Sequence, residues 1–95
     1  MKGFVQDIER LAIGNDDFRR VLYTATHSQL VLMALAPGEE IGAEVHQLDQ
    51  FFRVEEGTGV VVMDGTRTPV KPGFAIVVPM GANHNVINTG PTPLK

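Results

Sequence analysis

Apolar and polar positions alternate over short stretches through most of the chain, and Gly or Pro interrupts them at close intervals. Alternation of this kind sends successive side chains to opposite faces of a strand, whereas a helix repeats about every 3.6 residues. Two strands are predicted within Val21–Ala36, meeting near Ala25–Ser28. The second, Gln29–Leu35, is almost wholly apolar, as a strand buried on both faces would be, and Pro37-Gly38 ends it. After a break at Gln47-Leu48-Asp49, Gln50–Glu55 alternates again, with Gln50, Phe52 and Val54 on one face and Arg53 and Glu55 on the other. Val60–Met63 is a short β-branched strand, Asp64-Gly65 a tight hairpin turn and Thr66–Val70 the return arm. Lys71-Pro72-Gly73 turns the chain into Phe74–Val78, Pro79–Ala82 is a loop, and His84–Asn88 is the last clear strand. Short strands punctuated this way predict an all-β fold, an antiparallel sandwich or barrel.

The two ends read differently. Phe4, Ile8 and Leu11 suit one helical face, while Val5 and Ile8 equally suit an edge strand, and Gly14-Asn15-Asp16-Asp17 is a turn signal. Residues 1–20 are therefore read as an N-terminal arm without chemistry, and residues 21–95 as the domain. An apolar strand such as Gln29–Leu35 needs a cover on its outer face. A second subunit is the expected cover, giving a homodimer, and residues 1–20 are the alternative. Asn88–Pro93 is turn-rich and Leu94-Lys95 resembles the start of a further strand, so a missing final strand and one bare sheet edge are expected.

Composition narrows the partners. With 95 residues the chain is one small domain. A net charge of −3, no basic block and few aromatic residues exclude a nucleic-acid surface. Without cysteine there is no disulfide, thiolate ligand or thiol nucleophile. Met1–Asp7 turns acidic too early for a signal peptide and no apolar run reaches spanning length, so a cytoplasmic protein with no membrane association is expected.

Candidate chemistry lies between Gly38 and Gly57. In an extended segment Glu44 and His46 face the same way, Gln50 on the next strand faces them across the sheet, and His84 supplies a donor from a later strand. There is no Gly-rich phosphate loop, no CxxC pair and no G-x-S-x-G elbow to compete with a metal site.

Two segments of the chain closely resemble the cupin family. Gly38-x5-Glu44-x-His46-x3-Gln50-x6-Gly57 has the spacing of the first cupin motif, and Gly73-x5-Pro79-x-Gly81-x2-His84-x3-Asn88 matches the second at each fixed position. Glu44 stands where the family usually has a first His, and Gln50 where it has a Glu. The resemblance implies a small single-domain cupin, a conical antiparallel β-barrel or jelly roll, with a divalent metal held by Glu44, His46, Gln50 and His84. One carboxylate, two imidazoles and an amide oxygen suit Mn, Fe, Ni, Co or Zn, and the net positive centre favours a small anionic or oxygen-rich ligand.

By the same resemblance the chain is a metal-dependent enzyme of dioxygenase, isomerase, lyase or decarboxylase type acting on a small oxygen-rich metabolite. The alternative is a non-catalytic metal- or ligand-binding cupin, a sensor or a dimeric scaffold, because no side chain stands out as a general base and Gln50 is neutral. Tyr23, Phe52 and Met80 are candidate pocket residues. His27 reads as a surface histidine in a hairpin, and Arg53 faces away from Gln50.

Overall fold

In the computed structural model, which describes residues 2–95, a short helix precedes seven strands. Helix α1 is Ile8–Ile13, followed by β1 (Arg19–Thr24), β2 (Gln29–Met33), β3 (Gln50–Arg53), β4 (Gly59–Met63), β5 (Thr66–Val70), β6 (Ala75–Val78) and β7 (His84–Ile87). All ladders are antiparallel: β1 with β2, β3 with β6, and β5–β4–β7 in that order. The hairpin between β4 and β5 turns on Asp64 and Gly65, both at positive φ (46° and 84°), which is the backbone a two-residue turn of this hand requires.

Main-chain bonds outside the strands join these ladders into two layers. Leu35 and Leu94 exchange both of their bonds at 2.9 Å, and Lys95 accepts from Glu55 N–H (2.8 Å) while donating to Glu56 O (2.8 Å). Leu94 and Lys95 thus stand between the end of β2 and the end of β3, so one layer runs β1, β2, the chain end, β3, β6. Residues 39–44 bond along β7, through Ile41 N–H to Val86 O (3.0 Å) and a Glu44–His84 bridge, and complete the layer β5, β4, β7. The result is a jelly-roll sandwich rather than the closed conical barrel expected. Among the described residues, Leu94 and Lys95 lie between the two halves of the first layer, bonded to Leu35 on one side and to Glu55 and Glu56 on the other.

The core is the inward set of this alternation. Val54, Val61, Val70, Ile76, Val78 and Val86 are buried together with Leu35 and Leu94, while their neighbours Phe51 and Val77 point outward. Each buried Val or Leu side chain contributes about 1.5–3 kcal/mol.

The first residues are part of the fold. Asp7 caps α1 by accepting from Arg10 N–H (3.1 Å), and Gly14 closes it by donating to Arg10 O (3.1 Å). Asn15, 2% exposed, locks the following turn by accepting from Asp17 N–H and donating to Asp17 O. Helix α1 packs on β2, where Ala12, Leu32 and Ala34 are buried apart from the main core. Gly3 N–H donates to the Tyr23 hydroxyl, and Phe4 lies against the Tyr23 ring. The chain's own N-terminal segment thus covers the Leu32–Ala34 end of β2, while Val21 and Leu30 of the same ladder stay exposed. Strand β2 is also less buried than its composition suggests, with Gln29 and Leu30 exposed.

Candidate metal centre

Glu44 reaches the site through a backbone irregularity. Bridges pair Glu40 with Ile87 and Glu44 with His84, so the 40–44 segment spends one residue more than β7 between the same two points. Such an extra residue is a β-bulge, which bends the strand and re-aims its side chains. Gly42 absorbs it at φ 103°, and its N–H is taken by Asn85 Oδ1 at 2.9 Å instead of by the ladder. Beyond the bulge, Glu44 and His84 exchange main-chain bonds of 2.8 and 2.9 Å, which places their side chains on one face.

His84 is 2% exposed. Its Nδ1 lies 3.1 Å from Ala82 O, and because a carbonyl only accepts, Nδ1 carries the proton. Nε2 is buried and without a hydrogen-bond partner. His46 follows Glu44 at the alternating position, with its Nε2 2.8 Å from Glu44 Oε2 and its ring centre 5.5 Å from that of His84. One potential ligand atom from each of Glu44, His46 and His84 lies within 4.8 Å of the other two. The Glu44 and His46 side chains are 41% and 37% exposed, so the cluster is closed behind His84 and open beside the other two.

Gln50, at the first position of β3 opposite Val78, has a buried Oε1 that also lacks a partner. Phe52, on the same face, sets its ring 6.3 Å from His84. Of the other candidate pocket residues, Met80 is 60% exposed on the loop beside His46, and Tyr23 is engaged by Gly3 and Phe4. His27 is exposed in the β1–β2 turn. Arg53 is bonded to Glu55, and that bond and carboxylate charge hold its guanidinium pKa above the ordinary value. A surface concavity of about 300 Å³ between Phe18, Leu35, Glu39, Pro93 and Lys95 contains none of the cluster.

Several parts of this geometry carry no side-chain signature. The Ala82 carbonyl that sets the His84 tautomer could be any residue's, and the bulge leaves only one trace in the sequence, Gly42. Asp49 was read as part of a break between strands, yet its Oδ1 accepts from Met80 N–H at 2.9 Å.

A jelly roll with a mixed histidine–carboxylate cluster between its sheets defines a cupin, and residues 31–95 match the cupin domain family. The chain belongs to that family. It is 48% identical to the uncharacterized protein YrkC of Bacillus subtilis over 99% of this chain and 54% of the relative. The crystal structure of BH2720 from Bacillus halodurans superposes with a TM-score of 0.96 at 46% identity, covering 99% of this chain and 76% of that one. Dimethylsulfoniopropionate lyase DddW of Ruegeria pomeroyi is 29% identical over 70% of this chain and 43% of the enzyme. The chain thus spans about half the length of the curated relatives it matches.

Proposed function

We propose that Glu44, His46 and His84, joined by Gln50, hold one divalent transition-metal ion, and that the chain acts there as a lyase- or decarboxylase-type enzyme on a small carboxylate. The observation that carries this reading is the His84 Nε2, which is buried and unpartnered beside a carboxylate and a second imidazole. A buried polar atom without a partner is costly; a metal ion held by Glu44, His46 and His84 would satisfy the His84 Nε2, and Gln50 Oε1, also buried and unpartnered, would be the further donor. The ion supplies a Lewis acid that polarises substrate oxygen atoms.

The chain's own groups do the remainder. The Ala82 carbonyl keeps the His84 proton on Nδ1 and so keeps Nε2 a ligand. Glu44 is the only anion of the set, so a divalent ion there retains positive charge and draws a carboxylate to the open side. The Phe52 ring lies 6.3 Å from His84 and lines the inner side with apolar surface. The similarity to a protein named as a lyase supports elimination chemistry as the reaction class.

Metal content tests the centre first. Protein purified without chelator is expected to carry close to one divalent ion per chain, and His46→Ala and His84→Ala each to lose most of it. Full metal in the His46→Ala, His84→Ala double variant would sink the assignment. Turnover of small hydroxy-, keto- and β-substituted carboxylates, with and without oxygen, then tests the chemistry. Metal-loaded protein that binds such acids but converts none would establish a binding protein instead.

A further inference from the structure

The loop between β6 and β7 meets His46, His84 and the residue before Gln50 through consecutive backbone groups. Met80 N–H donates to Asp49 Oδ1 (2.9 Å), Gly81 N–H donates to His46 O (2.9 Å), and Ala82 O receives the His84 Nδ1 proton (3.1 Å). Opposite it, the chain leaves the Glu44–His84 bridge, runs through His46 and a bend at residues 47–48, and rejoins a ladder only at Gln50, opposite Val78. Among the hydrogen bonds of the described residues, that excursion is fastened by the Gly81 bond at His46 and the Met80 bond at Asp49. Asp49 is the side chain among these contacts, and it sits directly before Gln50.

We propose that Asp49 is a positioning residue for the metal centre, holding the His46–Gln50 excursion against the Met80–Ala82 loop and so setting His46 and Gln50 relative to His84. This rests on the metal reading above. Asp49 is exposed, so its bond is a minor part of fold stability, and its effect falls on ligand geometry instead. A carboxylate also attracts a cation at a distance, and that effect is separable: asparagine keeps the oxygen acceptor while removing the charge.

The test is calorimetric titration of chelator-stripped protein with Co²⁺ at fixed pH, for the unsubstituted chain, Asp49→Ala and Asp49→Asn. Visible absorption of the Co²⁺ forms and thermal midpoints of the metal-free forms accompany it. We expect Asp49→Ala to bind Co²⁺ about tenfold more weakly with an altered Co²⁺ spectrum, and its metal-free midpoint to stay near that of the unsubstituted chain. Asp49→Asn is expected to restore both affinity and spectrum. Equal Co²⁺ affinity and spectra in the unsubstituted chain and Asp49→Ala would overturn the role of Asp49 alone. Equal losses in Asp49→Ala and Asp49→Asn would also overturn it, assigning the effect to charge. Failure of the unsubstituted chain to bind Co²⁺ would overturn the metal reading and the positioning role together.

Discussion

Glu44 and His84 are a register pair: each donates its main-chain N–H to the other's carbonyl, at 2.8 and 2.9 Å. Two ligand candidates far apart in sequence are therefore fixed by a single antiparallel pairing, and their side chains share a face because that pairing demands it. The register is set by burial on both sides of the pair. Slipping it by one residue would carry buried Val86 outward and His84 to the opposite face of the sheet.

The bulge at Gly42 is the adjustable part of this arrangement. A Cβ at Gly42 meets nothing within 4 Å, so Gly42→Ala is opposed by backbone conformation alone, at φ 103°. It is expected to cost about 1–3 kcal/mol in denaturant unfolding. If the chain relieves that strain by straightening, Glu44 turns away from His84, and metal per chain in elemental analysis falls as well. Unchanged stability and unchanged metal content would show that the bulge does not aim Glu44.

Asn88 carries a different part of the fold. It is 1% exposed, donates to Leu35 O (2.9 Å) and Thr92 O (2.8 Å), and accepts from Gly90 N–H (2.9 Å). Asn88→Ala leaves the Thr92 and Gly90 groups unpaired beside a buried side chain. A loss of about 2–4 kcal/mol in urea unfolding is expected. Metal binding by the folded fraction should stay as it was, because Asn88 lies at the far end of β7 from His84.

Much of the fold was legible because its signals are local. Gly and Pro mark the turns, alternation marks β3, a β-branched run marks β4, and the spacing of Glu44, His46 and His84 brings three ligand candidates together. What was not legible depends on backbone groups or on distance. A six-residue helix such as α1 is too short to show a period, and its docking on β2 depends on Ala12, a residue with no pattern of its own. The apolar run of β2 shows that the strand needs cover but not which segment provides it, and the docking of α1 over Leu32 and Ala34 is not visible in that run. Barrel closure likewise depends on what pairs between β2 and β3, where Leu94 and Lys95 lie, and no stretch of either strand encodes it.

The N-terminal cover gives an assembly prediction. With α1 in place, Leu32 and Ala34 are 5% and 8% exposed. Removing residues 2–15 uncovers them along with the Tyr23 ring, and an exposed apolar face of this kind drives association. Light scattering at matched micromolar concentrations is expected to show a larger mass per particle for the truncated chain than for the intact one. Equal masses would show that α1 does not guard this face.

Gln50 is the candidate ligand whose substitution would change the charge of the proposed centre. Its Oε1 is buried and unpartnered, as a fourth ligand's would be before a metal arrives. Gln50→Glu adds a second negative charge at that point. Without metal, the new carboxylate is placed where Oε1 is buried and unpartnered, so the metal-free variant should unfold at lower temperature than the unsubstituted chain. With metal the order reverses, since a carboxylate is a stronger donor than an amide to a hard cation and binding stabilises the state that binds. The same charge should weaken oxalate binding to the metal-loaded protein, because attraction in a partly buried site is screened less than in water. Gln50→Leu should loosen the metal without changing the charge. Calorimetry with metal and then with oxalate, on all three proteins, reads each term. If Gln50→Glu leaves both affinities where they were, Gln50 is not a ligand, and the centre is built from Glu44, His46 and His84 alone.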